Sequence, residues 1–567
     1  MNLVARGFAA WLLFVMAPAA LASNVALEAP ASVRALLAPY VAEEDFAGDR
    51  TQIEHHLNQR LPELLATEGY FSPVLKLVER DGALVLMVDP GPRTQVVAVK
   101  VDIGGGIDAE RRRALVDGWT LPAGQPFRQT DWSGAKQDLL AQLLADGHPA
   151  ARLTDSRAEI DTEARSARLS ADYDAGPPYR FGAIEIDGLK RYSPELVARY
   201  NETVQSGEPY SEDKLAQLQR TLQSTPYFSS VQVNIDRQGE PGTDGSVLAP
   251  VRLRVREAAP YRMGFGIGAS SNTGARVETN FRVADLFHRA WLFNGAVRLE
   301  EKKQSAYADI FLPPDQSHNR NSFGTLIENT DIAGLRTARF LVGAQRAFRR
   351  DPIDTRLSLT WQTEKQMVGG IPSYTAQALV ANGLWTWRRV DNLADPRRGF
   401  VVQAQLGGGA RALLSDQDFL RLQGRATYYQ PLSKRNTLVL RTDLGRTLAP
   451  SRVGIPQDYL FRTGGTGSVR GYDYQRLGVQ EGTAVVGGRN LLVASAEVDH
   501  WLNDRWGIAA FVDAGNAADT MAALRPLAVG VGGGMRWRSP AGPIAVDLGY
   551  GERDHRVRLH FFLAIPF

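Results

Sequence analysis

Two patterns of apolar and polar positions divide this chain. Up to about residue 258, short alternating runs are interleaved with stretches of helical period. In "SEDKLAQLQRTLQS" the residues Leu215, Leu218 and Leu222 share one helical face, and the runs "SSVQVNID" and "LAPVRLRVRE" that follow alternate as strands. After Tyr261 the helical period disappears. "RLSLTWQ" sets Leu357, Leu359 and Trp361 against Ser358, Thr360 and Gln362, and "TLVLRTDLG" sets Leu438, Leu440 and Leu444 against Arg441, Asp443 and Gly445. In a soluble sandwich the polar face of such strands would be solvated. Here the run of strands continues to the end of the chain, and the gaps between strands read as alternately short and long, the pattern of an outer-membrane barrel. At about 19 residues per strand and connection, this half predicts about 16 antiparallel strands.

The first half repeats itself. "LLATEGYFSPVLKL" from Leu64, "LLADGHPAARLTD" from Leu143 and "LQSTPYFSSVQVN" from Leu222 each end a helix in a similar way. "DPGPRTQVVAVKV" from Asp89, "DAGPPYRFGAIEI" from Asp174 and "REAAPYRMGFG" from Arg256 mark junctions. A period of about 80 residues signals one unit copied in tandem, here strand, helix, helix, strand, strand. The predicted fold class is therefore α+β repeats at 23–92, 93–177 and 178–258, followed by an all-β transmembrane barrel at 259–567.

The opening "MNLVARGFAAWLLFVMAPAALAS" changes the picture by giving an address. One basic residue, a short apolar run and Ala20-Leu21-Ala22 make the three-part pattern of a secretory signal peptide over 1–22, too short in its apolar core to span a bilayer. No later stretch is long and apolar enough for a transmembrane helix, so strands must do any spanning. The expected location is the bacterial outer membrane, with the repeats in the periplasm. The 567 residues include no cysteine, which removes disulfide scaffolds, thiolate metal sites and cysteine catalysis together. With 65 basic and 62 acidic residues and no basic block, nothing points to nucleic acid.

Candidate chemistry is sparse. "VVAVKVDIGGGIDAE" places Gly104, Gly106 and Ala109 in a dinucleotide-like G-x-G-x-x-A pattern, but a helix follows where a second parallel strand is needed. The adjacent His55 and His56 diverge on a helix and cannot readily share a metal. No hydrolase, zincin or P-loop motif occurs, so neither an enzyme, a cofactor nor a metal site is expected.

One segment stands out. "GGTGSVRGYDY" lies in the long connection between "TLVLRTDLG" and "LLVASAEVDHW". Arg470 in it is either a solvated surface residue or is plugged into the lumen, where a guanidinium seeks carboxylates. Strand parity allows Glu497 and Asp513 to point inward on the next two strands.

These residues resemble a known family. Tandem repeats before a barrel are similar to the polypeptide-transport-associated (POTRA) repeats and barrel of the BamA-like outer-membrane assembly-factor superfamily. Its lumen-loop motif [VI]-R-G-[FY] is matched by Val469, Arg470, Gly471 and Tyr472. Its partner-strand motif F-x-D-x-G is matched by Phe511, Asp513 and Gly515, and Glu497 matches the acidic residue of the strand before. "DNLADPRRGF", from Asp391 to Phe400, resembles a further family segment. Three repeats point to the translocation-and-assembly-module branch. The second repeat departs from the others with "GHPA" in place of "GYFS" or "PYFS".

The resemblance implies a sixteen-stranded barrel with a latch of Arg470 on Glu497 and Asp513. It also implies client outer-membrane proteins such as autotransporters, and a TamB-like, inner-membrane-anchored, β-rich partner docked on the first repeat. The sequence adds a reason for a weak lateral seam. Gly264, Gly266 and Gly268 strip side chains from the first strand, and Pro566, beside the terminal Phe567, removes a ladder donor from the last. The function implied is assembly of client barrels in the bilayer through that seam. A two-partner-type secretion transporter passing its substrate through the lumen, or a passive porin, is the alternative.

Overall fold

The computed structural model describes residues 25–43, 50–81, 83–369, 371–539 and 542–566. The expected signal peptide lies outside them.

Each of the first two repeats is a three-stranded sheet under two helices. In the first, the strand Val25–Glu28 runs parallel to Ala83–Asp89, which pairs antiparallel with Val74–Arg80. The helix Arg50–Thr67 buries Ile53, Leu57, Leu61 and Leu65, four residues apart on one stripe, against Leu77 and Leu86 of the sheet. The second repeat has the same order, with Gln95–Gly104 parallel to Ser166–Asp174 and Arg152–Asp161 antiparallel to it. Its helix Gln129–Ala145 turns Trp132, Ala135, Leu139 and Leu143 onto the sheet. The glycine triplet of this repeat serves packing. Gly105 has φ +90°, and a Cβ there would stand 2.7 Å from the Gly176 nitrogen, so the 175–178 junction fills the space a phosphate would need.

In the third repeat the strands Tyr179–Asp187, Phe228–Ile235 and Val247–Glu257 form one sheet, with the last in the middle. Its helices are Pro194–Tyr200 and Glu212–Gln223, the latter burying Leu215, Leu218 and Leu222. Tyr70 and Tyr227 fill equivalent core positions in the first and third repeats. The "GHPA" departure puts His148 there in the second, 7% exposed.

From Tyr261 the chain forms a closed barrel of sixteen antiparallel strands, each hydrogen-bonded to the next, from Tyr261–Ser270 to Arg556–Pro566. Alternation sends large apolar side chains outward. Phe323, Ile327, Leu359, Leu440, Leu444 and Ile508 are all exposed, while Glu328, Gln362, Glu364 and Asp547 between the walls are buried. At the end where the chain enters the barrel, Trp291, Trp387, Phe400, Trp506 and Trp537 lie at strand ends, with Trp506 and Trp537 stacked at 5.2 Å. Such a belt marks a membrane interface.

The expected alternation of short and long gaps is only partly present. The far-end connections include two of a few residues, 301–302 and 333–334, whereas 312–319 and 391–398 lie at the entry end. Length is put into the strands instead: Ile371–Val390 has 20 residues against 10 in Tyr261–Ser270. Extending both strands of a hairpin keeps backbone groups paired where a loop of equal length would leave them to find other partners.

Candidate functional site: the lumen loop and the barrel seam

The connection from Ala449 to Arg489 folds back into the barrel. A 3-10 turn at Gln457–Tyr459 and a small hairpin, Val479–Glu481 with Ala484–Val486, give it its own structure. Bridges Phe461–Gly488 and Thr463–Leu477 close it into a compact tongue. Apolar anchors fix the tongue on the wall: Val469 and Tyr472 are buried with Phe461, Leu477, Leu491, Val493 and Ala528.

These anchors deliver Arg470 to three carboxylates. Its Nε donates to Asp513 Oδ2 at 2.7 Å and its Nη2 to Asp513 Oδ1 at 2.9 Å, a bidentate fork. Nη1 donates to Glu497 Oε2 at 2.6 Å and to Asp547 Oδ2 at 3.0 Å. The Arg470 backbone N–H adds a bond to Asp513 Oδ2 at 3.0 Å, and the guanidinium lies 3.4 Å from the centre of the Phe511 ring. The Arg470 side chain is 3% exposed and that of Asp513 0%. Two further cations complete the balance. Arg441 donates to Glu497 at 2.9 Å, and Arg536 bridges Glu497 and Asp547. Asp499 stands 3.4 Å from the Arg536 Nε, so three arginines face four carboxylates, and each of the three that Arg470 touches has a cation in hydrogen-bond contact.

Backbone geometry makes the insertion possible. Gly471 has φ +93°, and a Cβ there would stand 2.7 Å from the Gly551 nitrogen. The wall answers with its own glycines: a Cβ on Gly530 would collide with the Arg470 carbonyl, and one on Gly549 would lie 2.6 Å from the Gly471 nitrogen. The Gly471 N–H donates to His560 Nε2 at 2.8 Å, and its carbonyl accepts from Arg558 Nη1 at 2.6 Å. Tyr472 Oη donates to the Val529 carbonyl at 2.9 Å. Gly515 leaves room for Val469, whose Cγ2 would be 2.9 Å from an added Cβ. Val469, Arg470, Gly471, Tyr472, Glu497, Phe511, Asp513 and Gly515 therefore meet in one place. Sequence reading missed Asp547, His560, Arg441, Arg536 and the glycine trough. The trough has a signal in the sequence, the every-second-residue glycines of "GVGGG" and "GYG".

The same tongue reaches the seam. Thr466 Oγ1 donates to Asn272 Oδ1 at 3.1 Å and lies 3.2 Å from Ser271 Oγ, both in the turn that ends the first strand. Arg558 and His560, which hold Gly471, belong to the last strand. Between the two strands, pairing among the described residues covers five positions, Gly266–Ser270 against Phe562–Pro566, whereas the first and second strands pair over ten. Gly266 faces Pro566 and Gly268 faces Ala564 in that register, and Gly264 lies beyond its end. Phe567 is outside the described residues. The three glycines share the lumen parity with Arg276, Glu278 and Asn280 of the second strand, while Met263, Phe265 and Ile267 cover the bilayer face. The first strand is therefore bare on one side only.

The family segment at Asp391–Phe400 lies apart from this site, as a turn in which Asp391 Oδ1 accepts the N–H groups of Asn392, Arg397 and Arg398. Among the described residues no group of three or more His, Asp and Glu is placed to hold a metal.

Comparison with known proteins agrees with this architecture. Residues 339–567 match the Omp85 superfamily domain, and residues 179–257 match POTRA, described as a surface antigen variable number repeat. The outer membrane protein assembly factor BamA of Nitratidesulfovibrio vulgaris is 22% identical over 503 residues, covering 83% of this chain. This chain spans 61% of that relative's length. The crystal structure of BamA from Haemophilus ducreyi lacking POTRA domains 1–3 is similar in fold, with a TM-score of 0.67 at 15% identity, over 82% of this chain and 99% of that one.

Proposed function

From a chain that carries an Omp85 superfamily domain in the outer membrane, with POTRA domains on the periplasmic side, we propose that the protein inserts client outer-membrane proteins through its lateral seam. The observation that carries this reading is the pairing between the first and last strands, five positions among the described residues, half of the ten over which the first strand pairs with the second. A sheet edge that opens presents unpaired N–H and C=O groups, and a client strand satisfies them by β-augmentation. The Arg470 network holds the tongue against the last five strands, so that opening moves the first strand away from a fixed wall. The relative's description as an assembly factor supports the same direction.

Within the superfamily we read the chain as a TamA-type subunit, working on autotransporter-like clients with a TamB-like partner. Three repeats of one design before the barrel support this. The first repeat also offers an outer strand, Val74–Arg80, paired on one side.

The test uses the absence of native cysteine. Ala269 and Leu563 face each other across the seam, and a cysteine pair there closes it by oxidation. Oxidised protein that remains folded in the outer membrane is expected to lose client insertion, with recovery on reduction. Undiminished insertion by the locked barrel would refute the seam mechanism and favour passage of substrate through the lumen.

A further inference from the structure

Arg191, Tyr192, Arg199, His288 and Arg289 surround a cavity of about 200 Å³ at the entry end of the barrel. The third repeat supplies the first three, and the turn between the second and third barrel strands supplies the rest. This turn is held firmly: Tyr227 Oη donates to the Ala290 carbonyl at 2.7 Å, and the Ala290 N–H to Asp285 at 2.9 Å.

The cavity has the chemistry of an anion site. Tyr192 is 6% exposed, yet its hydroxyl has no hydrogen-bond partner in the structure. A buried hydroxyl left without a partner is rare in a native fold and points to a missing one. Among the described residues, Arg191, Arg199 and Arg289 form no salt bridge. Arg191 spends one N–H on the Ala258 carbonyl and otherwise lies over the Tyr192 ring. The two acids nearby are already engaged. Asp285 accepts from the Ala290 N–H and faces His288, and its side chain is 4% exposed. The Ser193 hydroxyl, the Glu195 backbone N–H and the charge of Arg199 hold the Glu195 carboxyl below the usual range. Three arginines and a phenol lining one space, with side chains free to turn their N–H groups toward it, suit the tetrahedral oxygens of a phosphate.

The surroundings say where that phosphate comes from. The same turn carries Phe287, 69% exposed, and the Phe287 ring meets Trp291 edge to face at 6.3 Å. Arg289 lies over the other aromatic of that pair, 5.6 Å from the Trp291 ring. Trp291 is part of the aromatic belt, so the cavity stands at the level of the lipid headgroups. We propose that this cavity binds the phosphate headgroup of an anionic phospholipid from the periplasmic leaflet, with Phe287 and Trp291 beside its acyl chains.

The test is native mass spectrometry of the full-length protein released from nanodiscs of phosphatidylethanolamine and phosphatidylglycerol. The wild type is expected to retain phosphatidylglycerol. Arg199→Gln combined with Arg289→Gln should weaken retention by about tenfold or more, given the strength of charge-assisted contacts. Tyr192→Phe, which removes one oxygen and leaves the ring, should weaken it less. Arg505→Gln, in another entry-end turn, should retain lipid as the wild type does. Heat-modifiable migration on gels verifies that each barrel is folded. Equal retention by the folded double variant overturns the proposal. Displacement of the lipid by inorganic phosphate at equal concentration also overturns it, because the site would then be one for soluble anions.

Discussion

Arg470 shows what a single residue contributes here, because its side chain is surrounded by acceptors on strands that are far apart in the chain. Removing one partner of a buried ion pair costs about 3 to 5 kcal/mol, since the other charge is stranded. Arg470→Ala leaves Asp513, at 0% exposure, without its fork and is expected to release the tongue by a free energy of that order. Limited proteolysis within 449–489 reads this directly: the variant should be cut while the wild type resists. Arg470→Lys restores a charge but has no planar fork, so it should give intermediate protection. Resistance of the alanine variant equal to the wild type would mean that Val469 and Tyr472 anchor the tongue unaided. The motif itself was legible in the sequence, and strand parity allowed Glu497 and Asp513 to face the lumen, but whether Arg470 lay there or in solvent was left open by the residues alone. Asp547 and His560 were not legible, because strand parity allows a polar residue to face the lumen but does not say at which height a loop will meet it.

At the scale of elements, the end of the third repeat is a small case of how one side chain sets a turn. Glu257 Oε1, at the end of the strand Val247–Glu257, accepts the N–H groups of Lys190, Arg191 and Tyr192. Burial pushes the Glu257 carboxyl up, but the three donors and the Arg191 charge together hold it below the usual value. A carboxyl lowered on folding stabilises the turn above its unfolded value of about 4.3 and loses that contribution as pH falls through the lower folded value. Hydrogen exchange at residues 190–192 is therefore expected to accelerate below about pH 4 in the wild type. Glu257→Gln should show fast exchange already at neutral pH, and unchanged exchange in that variant would assign the turn's stability to other contacts. The repeats were readable from periodicity because each buries a local stripe. The barrel's loop lengths were read less well, since a hairpin's boundary between strand and gap depends on how far both strands keep pairing, which neither strand encodes alone.

For the whole molecule, the tongue decides what the barrel's interior is. A sixteen-stranded barrel with an open lumen conducts as an aqueous channel. With the tongue in place, steady conductance in planar bilayers should be low, and replacing 464–475 by a short flexible linker should raise it toward porin-like values. No change would show that other lumen contacts keep the passage shut. By itself, the sequence determined the division into repeats and barrel, the strand parity, the lack of cysteine and the motif in the long connection. These are local properties, set by periodicity and by the few residues that tolerate a given backbone. Only the tertiary structure decided that the tongue lies in the lumen and spans both seam strands, and that the seam pairs over five positions among the described residues. It alone also brought Tyr192 and three arginines around one cavity. Each of those depends on closure of the barrel or on contact between distant segments, where the favourable geometry belongs to pairs of surfaces and to no single stretch of chain.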